Sequence, residues 1–174
     1  VFAFQSTLIA MRSRDYDVIL ATSTPITVAI PAAAARWIAR RPVVFEVRDV
    51  WPDAAIDAGV LKNPVLIFVA QILEKLAYSS AYHLVPLSFG MKQRMECKGV
   101  NPLRMSVLPN CSDLSLFDPK AYDREALRAE FGADDRLVLL YVGAINIAND
   151  IPFLTECMER LKGSKSVVWW FVGE

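Results

Sequence analysis

Along this chain, short apolar runs alternate with stretches whose apolar residues recur at helical spacing. Asp17–Ala21, Pro42–Val47, Tyr82–Leu87, Met105–Pro109, Leu137–Val142 and Ser166–Val172 are rich in Val, Ile, Leu and aromatics, and are predicted strands. Most are continuous rather than alternating, the pattern of a parallel sheet covered on both faces. Between them, Pro25–Arg40, Pro64–Ser79, Phe89–Cys97, Tyr122–Phe131 and Ile151–Leu161 are predicted helices. Such alternation predicts an α/β fold.

Punctuation supports this phase. Ser23-Thr24-Pro25 offers a hydroxyl N-cap with Pro at the first helical position, and Gly99, Gly132 and Gly163 each follow a helical pattern, where positive φ closes a helix. Pro31 lies inside a predicted helix and predicts a kink or break there. Gln71, Glu74, Lys75 and Tyr78 form one polar stripe on a helix whose other sides are apolar, read as core-packing. After Pro109-Asn110, the stretch Cys111–Pro119 has no helical period and reads as a linker. The expected organisation is a first domain over 1–112, a linker over 113–121, and the start of a second domain over 122–174, too short to bury its own core.

Composition narrows the class. Nineteen Lys and Arg balance nineteen Asp and Glu for a formal charge of +0, which argues against a non-specific nucleic-acid binder. Hydrophobic residues at 54% and charged ones at 22% place the chain among globular proteins. A mean hydropathy of +0.31 raises the membrane question. Pro64–Ser79 is too short and too charged to span a bilayer; a helix touching a bilayer surface is the alternative, and Trp37 among Arg36, Arg40 and Arg41 invites the same alternative. Cys97, Cys111 and Cys157 contain no C-x-x-C, so neither a disulfide framework nor a zinc site is suggested, and a reducing cytoplasm is expected. Val1–Gln5 shows no initiator Met or secretory signal, and the chain reads as cut at both ends.

Chemistry concentrates where predicted strands end. Val44–Val47 empties into Arg48, Asp49 and Trp51, and in open α/β sheets ligands bind beyond the carboxyl ends of strands. Arg48 and Asp49 are suited to orient a sugar hydroxyl or phosphate, with Trp51 offering an apolar face, unless they only pair with nearby charges. Asp49, Asp53 and Asp57 at i, i+4, i+8 suggest a metal only weakly, since hard cations want more oxygen ligands. Ser88 opens a helix, as an N-cap or beside an anion. Tyr141–Asp150 is a strand-to-helix turn in which Gly143 permits close backbone approach, either to a diphosphate or for steric reasons alone. His83 lies within a strand and reads as structural, so no Ser-His-Asp arrangement is supported. Neither G-x-G-x-x-G nor a Walker A loop occurs.

Four segments in order carry a resemblance: Phe45–Pro52, Val85–Met91, Val107–Asp113 with Phe117, and Leu140–Gly143. Together they resemble the family 4 retaining glycosyltransferases, in particular a subgroup with an R-D-x-W-P segment that builds bacterial surface polysaccharides. The resemblance implies a GT-B architecture of two Rossmann-like domains with helices on both faces of each sheet, the first holding the acceptor and the second the nucleotide-sugar donor. It implies Asp49 and Arg48 as the reacting-site pair and Trp51 and Ser88 in the acceptor cleft. Gly143, Ala144, Asn146 and Asn110 fall on the donor side and the crossover. No metal or cofactor is implied beyond the nucleotide-diphosphate sugar itself. The partners implied are that donor and a lipid-linked or polysaccharide acceptor, at a cytoplasmic location with an optional peripheral contact to the inner membrane face, and no nucleic acid. Cys111 and Asn146 depart from the family's usual glycines, and Phe89-Gly90 from a more polar pair. The competing readings are a non-catalytic piece or binding module, and a GT-B relative that epimerises nucleotide sugars.

Overall fold

The computed structural model of the chain describes residues 1–12, 16–146 and 149–174. It divides into two compact units, Val1–Cys111 and Ser112–Glu174. In the first, β1 (Ile19–Thr22), β2 (Val43–Val47) and β3 (His83–Pro86) form a parallel sheet in that order. Its register puts Ala21, Phe45 and Leu84 in one row across the three strands, and all three are buried. Around them lie α1 (Phe2–Arg12), α2 (Ala29–Trp37), α3 (Asp53–Asp57), α4 (Pro64–Ser80) and α5 (Phe89–Cys97). α1 and α3 are additions to the elements predicted from periodicity.

Local chemistry explains where these elements differ from the sequence expectation. A single 3-10 turn over Ile26–Val28 precedes α2, so Pro31 falls in the first turn of the α-helix, where its missing N–H has no intrahelical partner to lose. The helix continues unbroken through it to Trp37. Pro25, not a hydroxyl residue, occupies the cap of that 3-10 turn, and no side chain caps it. Met105–Pro109 runs beside β3 without becoming a strand. Ser106 N–H donates to the Leu84 carbonyl and Leu108 N–H to the Pro86 carbonyl, both at 3.1 Å. The return bond between them would need an N–H on Pro86, so the ladder stops at a lone Leu84–Met105 bridge. Gly99 and Gly132 do adopt positive φ after α5 and α6 (Arg124–Glu130), whereas Gly163 does not.

The polar stripe of α4 is split by packing. Glu74 is turned inward and buried along with Ala70, Ala77 and Ser80, while Val65, Leu66, Phe68, Val69 and Ile72 are exposed. Small residues are needed on the inward side because α4 packs against the alanine-rich α2, which buries Ala29 and Ala32–Ala35. The helix is therefore core-packing along one seam only.

The second unit is a strand–helix–strand repeat. β4 (Leu137–Val142) and β5 (Val167–Val172) pair in parallel from Leu137–Val167 to Val142–Val172, with α7 (Ile151–Leu161) as the crossover. Trp169 stacks on Phe171 at 6.1 Å and Trp170 meets Phe131 edge-on at 5.6 Å, as neighbours on opposite faces of a strand must. Of the buried apolar residues described, Ala133 alone belongs to this unit. No described helix is long and apolar enough to cross a membrane.

Candidate functional site

The carboxyl end of β2 is held open by the neighbouring strand. Ser23, just past β1, is 1% exposed, and its own N–H donates to the Glu46 carbonyl at 2.9 Å. Its Oγ accepts two backbone bonds, from Arg48 N–H at 2.9 Å and Asp49 N–H at 3.3 Å. Thr24 Oγ1 donates to the Asp49 carboxylate at 3.2 Å. The Ser-Thr pair thus fixes the Arg48–Asp49 loop instead of capping α2. Turning the backbone amides inward leaves both charged side chains exposed.

Beside this loop is a depression of about 330 Å³ lined by Arg48, Asp49, Ser88, Gly90, Met91 and Arg94. β3 delivers Ser88 to it, and Ser88 Oγ accepts Met91 N–H at 3.2 Å as the N-cap of α5. The Arg48 guanidinium has no ion-pair partner among the described residues. Arg94 is differently placed: its Nε meets Asp53 at 2.9 Å and its Nη2 meets Asp57 at 2.8 Å. Hydrogen bonds to Asp57, then to Asp53, hold its pKa above the ordinary arginine value. The i, i+4 spacing of Asp53 and Asp57 along α3 therefore serves a guanidinium clamp. Among the described residues no cluster of ligating side chains could hold a metal ion.

Behind the clamp, Lys98 Nζ bridges Asp53 at 2.9 Å and Glu74 at 2.7 Å. α3 is in this way tied to α5 and α4, which braces the Arg48–Trp51 loop ahead of it. Burial raises the Glu74 carboxyl above its usual range, against the lowering effect of Lys98. Burial, and then the neighbouring Glu74, raise the Tyr78 phenol in turn.

In the second unit, Gly143, Ala144 and Asn146 lie together in the loop after β4, within a segment whose Ile147 and Ala148 are outside the described residues. Gly143 N–H donates to the Val172 carbonyl at 3.0 Å, and Asn146 N–H to Ala144 at 3.1 Å. Tyr141 Oη and Asn149 Nδ2 both donate to the Ala144 carbonyl at 2.7 Å, closing the loop. Gly143 has φ of 154°, and a Cβ there would sit 3.2 Å from Tyr141 Oη. A Cβ on Gly173, at the end of β5, would collide with the Gly143 carbonyl, so two strand ends meet through two glycines. Asp150 then caps α7 through its carboxylate and Phe153 N–H at 3.3 Å.

Of the residues singled out from sequence, Arg48, Asp49 and Ser88 line one depression, and Gly143, Ala144 and Asn146 share one loop of the other unit. Trp51 is half-buried and outside that lining; its N–H donates to the Asp49 carbonyl at 3.0 Å. Asn110 is exposed next to the division between the units. Sequence reasoning missed Ser23 and Thr24 as loop anchors, Arg94 and Gly173. The paired aspartates one turn apart were the available signal for Arg94, since such a pair on one helix face calls for a cation.

Comparison with known proteins gives consistent results. A family model described as "Glycosyl transferase 4-like domain" matches residues 1–111. No curated protein matches the chain. Among solved structures, Anabaena Alr3699/HepE in complex with UDP-glucose is similar at a TM-score of 0.65 and 18% identity, over 98% of this chain and 51% of that one. Its complex with UDP aligns at 0.66 with the same identity and coverage. The apo lipopolysaccharide outer core galactosyltransferase WaaB aligns at 0.50 and 15% identity, over 98% of this chain and 47% of its own. The chain spans about half the length of these structures. Its parallel α/β sheets flanked by helices are those of the GT-B glycosyltransferase fold.

Proposed function

Because the chain belongs to the glycosyl transferase 4-like family, we propose that it forms part of a retaining glycosyltransferase. The enzyme moves a sugar from a nucleotide-diphosphate sugar to a hydroxyl of a lipid-linked or polysaccharide acceptor in bacterial cell-surface glycan synthesis. The observation that carries this reading is the loop at the carboxyl end of β2, where buried Ser23 consumes the Arg48 and Asp49 amides and leaves their side chains exposed over a depression. Asp49, steadied by the Thr24 hydroxyl, orients the acceptor hydroxyl or receives its proton. Arg48, whose guanidinium has no ion-pair partner among the described residues, faces the charge that develops on the reacting group. Ser88 and Trp51 belong to the acceptor side.

The donor side is the loop at Gly143, Ala144 and Asn146, a reading supported by the UDP and UDP-glucose complexes of the Anabaena protein. Gly143 and Asn146 spend their amides internally. Diphosphate contact then falls to the Ala144 amide and the start of α7, where the helix dipole favours negative charge. Asn110 stands at the crossover. The donor is a substrate, and the reading calls for no separate cofactor or metal. The enzyme works on the cytoplasmic side, peripheral to the inner membrane face.

The test is Asp49→Asn in a protein of the neighbours' length that contains this chain. Turnover should fall about 100-fold or more with nucleotide-sugar affinity unchanged, and the product anomer, read by NMR, should match the donor. Undiminished turnover removes Asp49 from the site, and an inverted product removes the retaining assignment.

A further inference from the structure

Another depression of the first unit, about 450 Å³, lies at the amino end of β3, and its wall includes Arg36, Ser79, Tyr82, His83, Leu103 and Arg104 but no carboxylate. The last turn of α2 brings Arg36 to it and the last turn of α4 brings Ser79, while Tyr82 and His83 lie where the chain enters β3. Arg36 is half-buried, yet it has no ion-pair partner among the described residues. A charge drawn partly out of water without a counter-charge is costly and calls for an anion. Arg104, also half-buried and also without an ion pair among the described residues, is held in place from behind. Its Nη2 donates to the Tyr78 carbonyl at 3.2 Å and to the Ala81 carbonyl, which braces the guanidinium against the end of α4. His83 Nε2 and Ser106 Oγ are hydrogen-bonded at 2.9 Å, which fixes the imidazole on the same wall.

We propose that this depression binds a small soluble phosphate monoester, its phosphate between Arg36 and Arg104 and its organic part against Tyr82 and Leu103, both of which are exposed. Guanidinium forks match phosphate oxygens in pairs. A monoester phosphate carries about −1.5 to −2 at neutral pH and so answers two arginines, whereas a diester carries a single charge and answers one. The volume lies within the range of small-ligand sites, about 300–1,000 Å³. The position separates this ligand from the site at Arg48. His83 opens β3 and Ser88 follows its end, so a four-residue strand, about 13 Å long, stands between the two depressions. They share no lining residue. None of this draws on the transferase reading.

Isothermal titration calorimetry of the chain with ribose 5-phosphate tests this without nucleotide sugar or acceptor, so its failure leaves the transferase reading standing. Ribose 5-phosphate should bind with a Kd of about 1 mM or below, inorganic phosphate more weakly, and ribose not at all. Arg36→Gln should weaken ribose 5-phosphate binding about tenfold or more, because a charge-assisted pair to phosphate is lost. Its far-UV circular dichroism and urea midpoint should match the parent, since Arg36 holds no ion pair among the described residues. Arg104→Gln should weaken binding to a similar degree and also lower the midpoint, as the end of α4 loses its brace. Arg48→Gln should leave the binding unchanged. Absence of binding, or full binding by the Arg36 variant, would overturn the proposal. So would loss of binding in the Arg48 variant, which places the anion at the end of β2. Binding of phosphatidylglycerol vesicles alone, lost in the Arg36 variant, would overturn it in favour of a lipid headgroup.

Discussion

Ser23 is the residue on which the proposed site turns, because one buried hydroxyl oxygen accepts two consecutive backbone amides. Replacing it with Ala leaves the Arg48 and Asp49 N–H groups without partners in a part-buried setting, at a cost of about 1–3 kcal/mol. Ser23→Ala should therefore lower the urea midpoint at unchanged m-value, and in a catalytically complete protein should depress turnover as the Asp49 carboxylate loses its fixed position. An unchanged midpoint would show that water replaces the hydroxyl. Ser23 was visible in the sequence as a polar residue after a strand. Its partner was not, because a serine before Pro reads equally well as a helix cap, and only the pairing of β1 with β2 brings it under Arg48.

At the scale of elements, the ties among α3, α4 and α5 run through Glu74, Lys98, Asp53 and Arg94. The Glu74 carboxyl is raised in the folded state by burial. Its stabilising contribution is therefore complete below the unfolded carboxylate range and is lost as pH rises through the raised folded value. Glu74→Gln, neutral throughout, should gain stability relative to the parent on going from about pH 4 to about pH 7. Urea midpoints of both proteins at the two pH values check this, and a difference that shrinks with pH would mean that the Lys98 pair outweighs burial. Periodicity reads helix limits unevenly: α5 and α7 have the predicted bounds and α4 differs by one residue, whereas α2 is shorter than the predicted Pro25–Arg40 at both ends and α6 is shorter than Tyr122–Phe131. The face that α4 buries was not legible. A stripe of Gln71, Glu74, Lys75 and Tyr78 names the polar positions but not the cation waiting for one of them across a gap in sequence.

At the scale of the whole molecule, the described core is distributed unequally. The cluster centred on Val43, Phe45, Val47 and Leu84 lies wholly within Val1–Cys111, and the second unit contributes little buried apolar surface. Opening free energy follows burial. Native-state hydrogen exchange should then be slowest at the β2 amides and faster by about tenfold or more at β4 and β5. Equal protection of the two sheets would show that the second unit draws stability from elsewhere. What the residue pattern alone settled was the alternation of apolar strands with helices, and hence a parallel α/β fold, since burial of continuous apolar runs requires helices on the sheet; it left out α1 and α3 and added a strand at Met105–Pro109 that does not form. Strand ends as the place for Arg48, Asp49 and Ser88 followed from that alternation. Tertiary structure decided the rest: that Ser23 anchors the loop, that Arg94 closes it against α3, that Pro86 halts a fourth strand, and that α4 turns its large side chains outward. Each of these depends on a partner remote in sequence, and periodicity reports only which residues share a face, never what stands opposite.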